Sequence, residues 1–349
     1  MKNMQVEKTS IQAVPVKVAV VGQGYWGPNI LRVLMETHLA EVVYCCDLDE
    51  KRLEKVRRRY PGLKTTTNFK AVISDPAVQA VLIATPISTH FPLASEVLNA
   101  GKSVFVEKPL TESVEKAEAL IKLAEKHKQV LMVGHTFEYS PSVLKMKGII
   151  SSGELGKIYF ISSTRVNLGL HQKDVSVIWD LAPHDFSIIF YLLEESPSQI
   201  QAVGRDCVKT KLPDVAFINL RFPSGIIAHM EISWLSPSKL RNTTIVGSKK
   251  MLVYDDTQPV EKIKIFDHGV NFHDPETFGE YQLSYRTGDI ISPKLDTFEP
   301  LATEIGHFIE CVTTGKKPRS DGYSGLRVVK ALEMAEKSMN QDGKPLAIS

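Results

Sequence analysis

Val16-Lys17-Val18-Ala19-Val20-Val21-Gly22-Gln23-Gly24-Tyr25-Trp26-Gly27 decides the fold. An apolar run of strand character leads straight into Gly-x-Gly-x-x-Gly, and the stretch 28–37 that follows has helical spacing. The amides of the glycine turn and the positive end of the helix then converge on one point, where a pyrophosphate would sit. Working outward, residues 41–46, 80–84, 103–106 and 130–133 read as further strands, with helical patterns at 50–60, 88–100 and 113–128 between them. That alternation predicts an α/β unit, a parallel sheet with crossover helices. Ser88 and Ser113 open the last two helices as N-caps, and Gly101 ends one at the C′ position.

After about residue 136 the pattern changes to period two, following a helical stretch at 140–152. A mostly antiparallel sheet is expected there, with hairpins pairing 217–222 with 226–234 and 243–246 with 251–254. Residues 268–300 read as an irregular polar loop, and helices at 301–314 and 324–340 close the chain. The expected division is a tail at 1–15, a dinucleotide-binding domain at 16–136 and a second, substrate-binding domain at 137–349.

With 349 residues, 43% hydrophobic and 23% charged, the chain has room for two domains sharing a cleft. Forty-two basic against 40 acidic residues give a formal charge of +2, too balanced for a nucleic-acid binder, so small-molecule partners are expected. No apolar run approaches a membrane span and the polar start is unlike a signal peptide, which predicts a cytoplasmic protein with no membrane partner. Cys45, Cys46, Cys207 and Cys311 lack metal or redox spacing, and the ten histidines show no HExxH pattern, so no metal is predicted.

Gly22, Gln23, Gly24, Tyr25, Trp26 and Gly27 are the expected cofactor loop, and a lone Gly-x-Gly-x-x-Gly gains weight here from its flanking strand and helix. Asp47 ends the second strand, where its carboxylate would accept from the ribose hydroxyls and repel a 2′-phosphate. No arginine follows until Arg52, which favours NAD over NADP. Asp47 could instead cap the next helix, a task open to Asp49 as well. Thr85 and Pro86 end the third apolar run, and with His90 they are placed on the nicotinamide half of the cleft. For His90, a bond to local backbone is the competing reading.

Glu107-Lys108-Pro109 delivers an amine from a strand end towards that cofactor. In a partly dry cleft beside a cationic ring its pKa should fall, and it could bond an oxygen undergoing hydride transfer; a surface lysine paired with Glu107 is the alternative. Trp179-Asp180-Leu181-Ala182-Pro183-His184-Asp185 leads into an apolar helix at 186–193, and Asp180 and His184 stand four apart, which on a helix gives one shared face. His184 suits the removal of an alcohol proton, and Asp180 suits substrate binding or ring orientation. Trp179 is placed beside them. Arg165 and Asn167 are candidate ligands for a diphosphate or sugar carboxylate, with solvation as the rival reading; Lys239 and Arg241 are weaker phosphate candidates. His135 and Tyr139 read as core residues near the cleft.

From about Val16 to Asn340 the chain resembles the glucose-fructose oxidoreductase, inositol dehydrogenase and MocA group, through Glu107-Lys108-Pro109 and the Asp180, His184 pair. The resemblance implies a Rossmann domain joined to a domain with a large open sheet, subunits that pair through that sheet as homodimers or homotetramers, and NAD-dependent hydride transfer at a sugar or cyclitol hydroxyl. Gly24-Tyr25-Trp26-Gly27-Pro28-Asn29, Gly134-His135-Thr136-Phe137 and Arg165-Val166-Asn167-Leu168-Gly169 are similar to the nucleotide-sugar 3-dehydrogenases, which oxidise C3 of UDP-N-acetylglucosamine or its uronic acid. An inositol or free-sugar dehydrogenase, an NAD-dependent glycosidase and a non-catalytic NAD sensor are the other activities the group implies.

Overall fold

The computed structural model describes residues 14–169, 175–208, 211–273 and 282–348. Apart from Val14 and Pro15, the expected tail lies outside the described residues. The first half alternates β1 (Val16–Val21), α1 (Gly27–Glu36), β2 (Ala40–Cys46), α2 (Glu50–Arg59), β3 (Lys64–Thr66) and α3 (Phe69–Ser74). It continues with β4 (Ala80–Ile83), α4 (His90–Asn99), β5 (Ser103–Glu107), α5 (Val114–His127) and β6 (Leu131–Gly134). These six strands form one parallel sheet in the order β3-β2-β1-β4-β5-β6. The order reverses direction at β1 and β4, the switch point outside which such sheets bind ligands.

The apolar runs are continuous because both sheet faces are covered. Val16, Val18 and Val20 pack towards α1 and α2, whereas Ala19 and Val21 pack towards α4 and α5. Ser113 caps α5 by accepting from the Lys116 amide, as its position predicts; Ser88 does not cap, since α4 begins two residues later after a short 3-10 turn. Gly101 has φ +71°, the left-handed geometry expected of a residue that ends a helix.

The second half contains α6 (Pro141–Ser151), β7 (Ile158–Val166), α7 (Val177–Leu193), β8 (Gln199–Arg205), β9 (Val215–Arg221) and β10 (Ile227–Ser233). Then come β11 (Leu240–Gly247), β12 (Met251–Asp255), β13 (Ile263–His273), β14 (Gln282–Ile291), α8 (Pro300–Thr314), α9 (Gly322–Met339) and β15 (Leu346–Ala347). Nine strands make one open sheet, β14-β13-β12-β11-β7-β10-β9-β8-β15, antiparallel except where β7 meets β10. Helices α7 and α9 cover one face. Leu301, Ile305 and Phe308 carry α8 back onto the first sheet, beside α1, so the chain's end completes the first half's core.

Two expectations are corrected. Much of the expected loop at 268–300 is strand: β13 and β14 pair, with Val270 opposite Tyr285. Val270, Leu283 and Tyr285 are all at least half exposed, so beyond the buried Ile263 and Ile265 these positions show no buried alternation to mark a strand. The helix expected to begin near Phe186 begins at Val177, and it carries Pro183 in its interior, where the carbonyl of Trp179 loses its usual backbone donor.

Candidate active site

The glycine loop is built by contact as much as by freedom. Gly22 has φ +94°, and a Cβ there would lie 2.5 Å from the Ala84 carbonyl oxygen. One on Gly27 would lie 1.9 Å from the Gly22 carbonyl oxygen, so only glycine lets α1 start this close to the turn. Gly24 differs, because its nearest neighbour to such a Cβ is Arg52 Nη1 at 3.9 Å. The protein leaves open space there, on the cleft wall, where a pyrophosphate needs to approach backbone amides. Tyr25 and Trp26 line the same wall with stacked rings. Gln23 is buried and tied back to the Gly22 carbonyl.

Asp47 is buried, accepting from the Gln23 amide at 2.5 Å and the Asp49 amide at 2.8 Å. The helix cap is Asp49, which accepts from the Lys51 amide at 2.9 Å, so Asp47 is left to the cleft it lines. Arg52 approaches both carboxylates at 3.5 Å. Thr85 and Pro86 line the cleft as expected from the end of β4. His90 does not. It is buried, with Nδ1 2.9 Å from the Pro109 carbonyl oxygen and Nε2 2.8 Å from that of Thr85, so it fastens the backbone after β5 to that after β4.

Lys108 follows β5 and crosses to the second half of the molecule. Its Nζ donates to the Asp180 carbonyl at 3.0 Å and lies 3.9 Å from Asp180 Oδ1. Burial lowers its pKa, opposed by the Asp180 and Glu107 carboxylates. Asp180 is fixed in turn by Trp234, whose indole Nε1 donates to Oδ2 at 3.1 Å. One helical turn on, the His184 ring lies edge-on to Phe137 at 5.1 Å between centroids. Burial, and after it the charges of Lys108 and Arg165, hold His184 well below the ordinary histidine range. A neutral imidazole therefore faces the cleft, its basicity reduced by the same burial and cations.

Three expected substrate contacts are corrected. Arg165 is buried, and Nε donates to Asp185 Oδ2 at 2.5 Å while the guanidinium covers Phe137 at 4.8 Å; its fork is already used. Trp179 faces away, donating to Glu336 on α9 at 3.1 Å. Asn167 lies beyond β7 and does not line the cleft. Lys239 and Arg241 do line it, with Arg241 3.4 Å from Asp256. His135 and Tyr139 are buried core residues. Trp234, Phe137 and the buried Glu304, which accepts from Thr136 at 2.6 Å, were not singled out from sequence; Thr136 and Phe137 stand in a quoted motif, but nothing local marks Trp234 or Glu304.

Both halves of the molecule wall one cleft of about 2060 Å³, well above the roughly 300–1,000 Å³ of a single-ligand pocket. There is room for a dinucleotide and a second molecule. Among the described residues no group of three or more His, Cys, Asp or Glu side chains could hold a metal ion, and no helix is long and apolar enough to cross a membrane.

Residues 16–135 match the oxidoreductase family with an NAD-binding Rossmann fold, and residues 143–253 match the GFO/IDH/MocA C-terminal domain, together more than half of the chain. The chain belongs to the GFO/IDH/MocA family. It is accordingly an NAD-dependent oxidoreductase, and Gly24, Gly27 and Asp47 fit that cofactor. Among curated relatives of this family, a scyllo-inositol 2-dehydrogenase (NAD(+)) of Bacillus subtilis is 26% identical over 318 residues, covering 87% of this chain and 88% of that one. A UDP-N-acetylglucosamine 3-dehydrogenase of Acidithiobacillus ferrooxidans is 28% identical over 254 residues, covering 73% and 76%. The solved structure of UDP-N-acetylglucosamine 3-dehydrogenase GnnA from A. ferrooxidans superposes with a TM-score of 0.79 at 23% identity, over 94% of this chain and 99% of that one, which shows the shared fold.

Proposed function

We propose that this GFO/IDH/MocA protein oxidises a sugar hydroxyl, C3 of a UDP-N-acetylglucosamine-type nucleotide sugar or its uronic acid, to the 3-keto sugar. The observation that carries the reading is the charge lining the cleft. Besides Lys108 and His184, the cleft is lined by Lys239, Arg241, Lys262 and Lys294. Arg241 and Lys262 share Asp256, whereas Lys239 and Lys294 make no ion pair among the described residues. Two uncommitted cations in the same cleft suit a diphosphate better than a neutral cyclitol. The relative that acts on UDP-N-acetylglucosamine supports the same choice.

NAD, when bound, supplies the hydride acceptor. His184 Nε2 or Nδ1, neutral because of its burial, takes the hydroxyl proton, and Lys108 Nζ donates to the same oxygen as its charge changes. Asp180 holds the amine in place through its carbonyl. Lys108 and His184 can exchange these two tasks, since each can bind the oxygen and each can take a proton at a suitable pKa.

A second reading, an inositol or free-sugar dehydrogenase, is favoured by the longer match to the scyllo-inositol enzyme. Screening NAD reduction against UDP-N-acetylglucosamine, its uronic acid, myo-inositol and free sugars separates the two. NADH formed with the nucleotide sugars is expected; NADH formed only with inositol or free sugars transfers the assignment. Released aglycone without net NADH would indicate a glycosidase, and binding without turnover a sensor.

We further propose that the enzyme works in the cytoplasm as a homodimer or homotetramer paired through its second sheet. Phe160, Val203, Phe217 and Ile227 are 39–52% exposed on the face opposite α7 and α9, with Ile227 opposite Phe160 and Val203 opposite Phe217. They form two apolar pairs on one face, with Asn219 and His229 between them, and exposed apolar side chains of this kind are what a partner subunit would cover. Light scattering should return a multiple of 38.9 kDa; the monomer mass at micromolar concentration would refute the pairing.

A further inference from the structure

Two carboxyl groups are buried behind the cofactor end of the cleft, and neither task assigned above uses them. Glu107 ends β5, 8% exposed, with Oε2 accepting from the Lys108 amide at 3.2 Å and Oε1 buried without a hydrogen-bond partner. It lies flat over Gly134 of β6, where a Cβ would sit 3.0 Å from Oε2 and 3.1 Å from Oε1, so this glycine makes room for it. Glu304 reaches the same place from α8. It is fully buried; Oε2 accepts from Thr136 and Oε1 has no hydrogen-bond partner.

The groups facing the pair are few. Lys108 attracts Glu107, while the Trp26 indole nitrogen faces that carboxyl from the start of α1 without completing a well-formed hydrogen bond. Glu138, from the turn after β6, repels Glu304. Arg319, Arg327 and Asp321 stand around Glu138, so Lys108 is the cation set against Glu107 and Glu304 themselves, in a place where two adjacent carboxylate charges are costly.

We propose that Glu304 stays protonated while Glu107 carries a second proton in the free enzyme, releases it to solvent when the oxidised cofactor brings its cationic nicotinamide ring into the cleft, and keeps it when the neutral ring of the reduced cofactor enters. Glu107 lines the cleft at the carboxyl end of β5, next to the switch point, so it is the member exposed to the ring's charge. The protonated carboxyl loses its proton and becomes the counter-ion of the ring; no other bond changes. Glu304 is then a positioning residue, since it touches neither substrate nor cofactor and, kept neutral, lets Glu107 ionise with no second charge beside it. Burial pushes Glu107 up to about 7, with Lys108 pulling it down, and burial followed by repulsion from Glu107 raises Glu304 well above the carboxylate range. The exchange thus falls near neutral pH.

Calorimetric titration of the full-length enzyme at pH 7, in two buffers of different ionisation enthalpy, reads the proton directly. NAD should release about half a proton per site and NADH essentially none. Between pH 6 and pH 8 the Kd for NAD should fall about tenfold, while that for NADH moves less than about twofold. Glu107→Gln should abolish the release and Glu304→Gln, which reproduces the neutral carboxyl, should leave it in place, with NADH binding showing that both variants fold. Lys108→Met should retain the release, because the lysine is the other group that could lose a proton to an incoming cation. No net proton exchange with NAD, equal release with NAD and NADH, or a release lost in Lys108→Met and kept in Glu107→Gln would each overturn the proposal.

Discussion

Replacing Lys108 with methionine is expected to lower NAD reduction by about 10³-fold or more while the Kd for NAD stays within about threefold. The asymmetry follows from where the amine points. Nζ is held by the Asp180 carbonyl in the second half of the molecule, where the proposed mechanism sets the reacting oxygen, and not at the glycine loop or Asp47, which it assigns to the cofactor's other end. Methionine keeps the length and apolar stem of the side chain, so the cleft wall is preserved and only the hydrogen-bond donor and charge are lost. Stopped-flow reduction and fluorescence titration with NAD check the two halves separately. Turnover that survives the substitution would remove the lysine from the chemistry.

Arg165→Ala is expected to destabilise the fold by about 3–5 kcal/mol, the usual consequence of leaving one member of a buried ion pair behind. Asp185 would remain buried, keeping only the Ser163 hydroxyl at 2.7 Å as a partner. Arg165 also covers Phe137, whose other contact is the His184 ring, so loosening this stack should disturb the histidine as well. Chemical denaturation measures the loss. Unchanged stability together with a raised KM would instead return Arg165 to the substrate-ligand role that sequence suggested.

Much of the first sheet is legible because its strands are buried on both faces and so appear as unbroken apolar runs, with Gly22 and Gly27 marking the turn by steric necessity. Strand β3 and helix α3 escape that reading. Lys64-Thr65-Thr66 is an edge strand of three polar residues, and α3 has only Val72 buried. The β13–β14 hairpin is hidden for a related reason, as residues exposed at a sheet edge need no alternation.

At the active site, the pairing of Asp180 with His184 is local, set by four residues on one helix, and spacing alone reveals it. The role of Arg165 is hidden in the sequence because its partner Asp185 is 20 residues away, across the packing of α7 on β7. Trp234 and Glu304 meet Asp180 and Thr136 over separations of 54 and 168 residues, and no periodicity carries such information. His90 shows the opposite case, a histidine at a helix start whose bonds to nearby backbone leave it nothing for a cofactor.

The most direct measurement is a crystal structure of the NAD complex, which locates both ends of the dinucleotide at once. The pyrophosphate should lie over Gly24 with the adenosine ribose on Asp47, and the nicotinamide ring should face Lys108 and His184. A ring lodged away from that amine and imidazole would contradict the account.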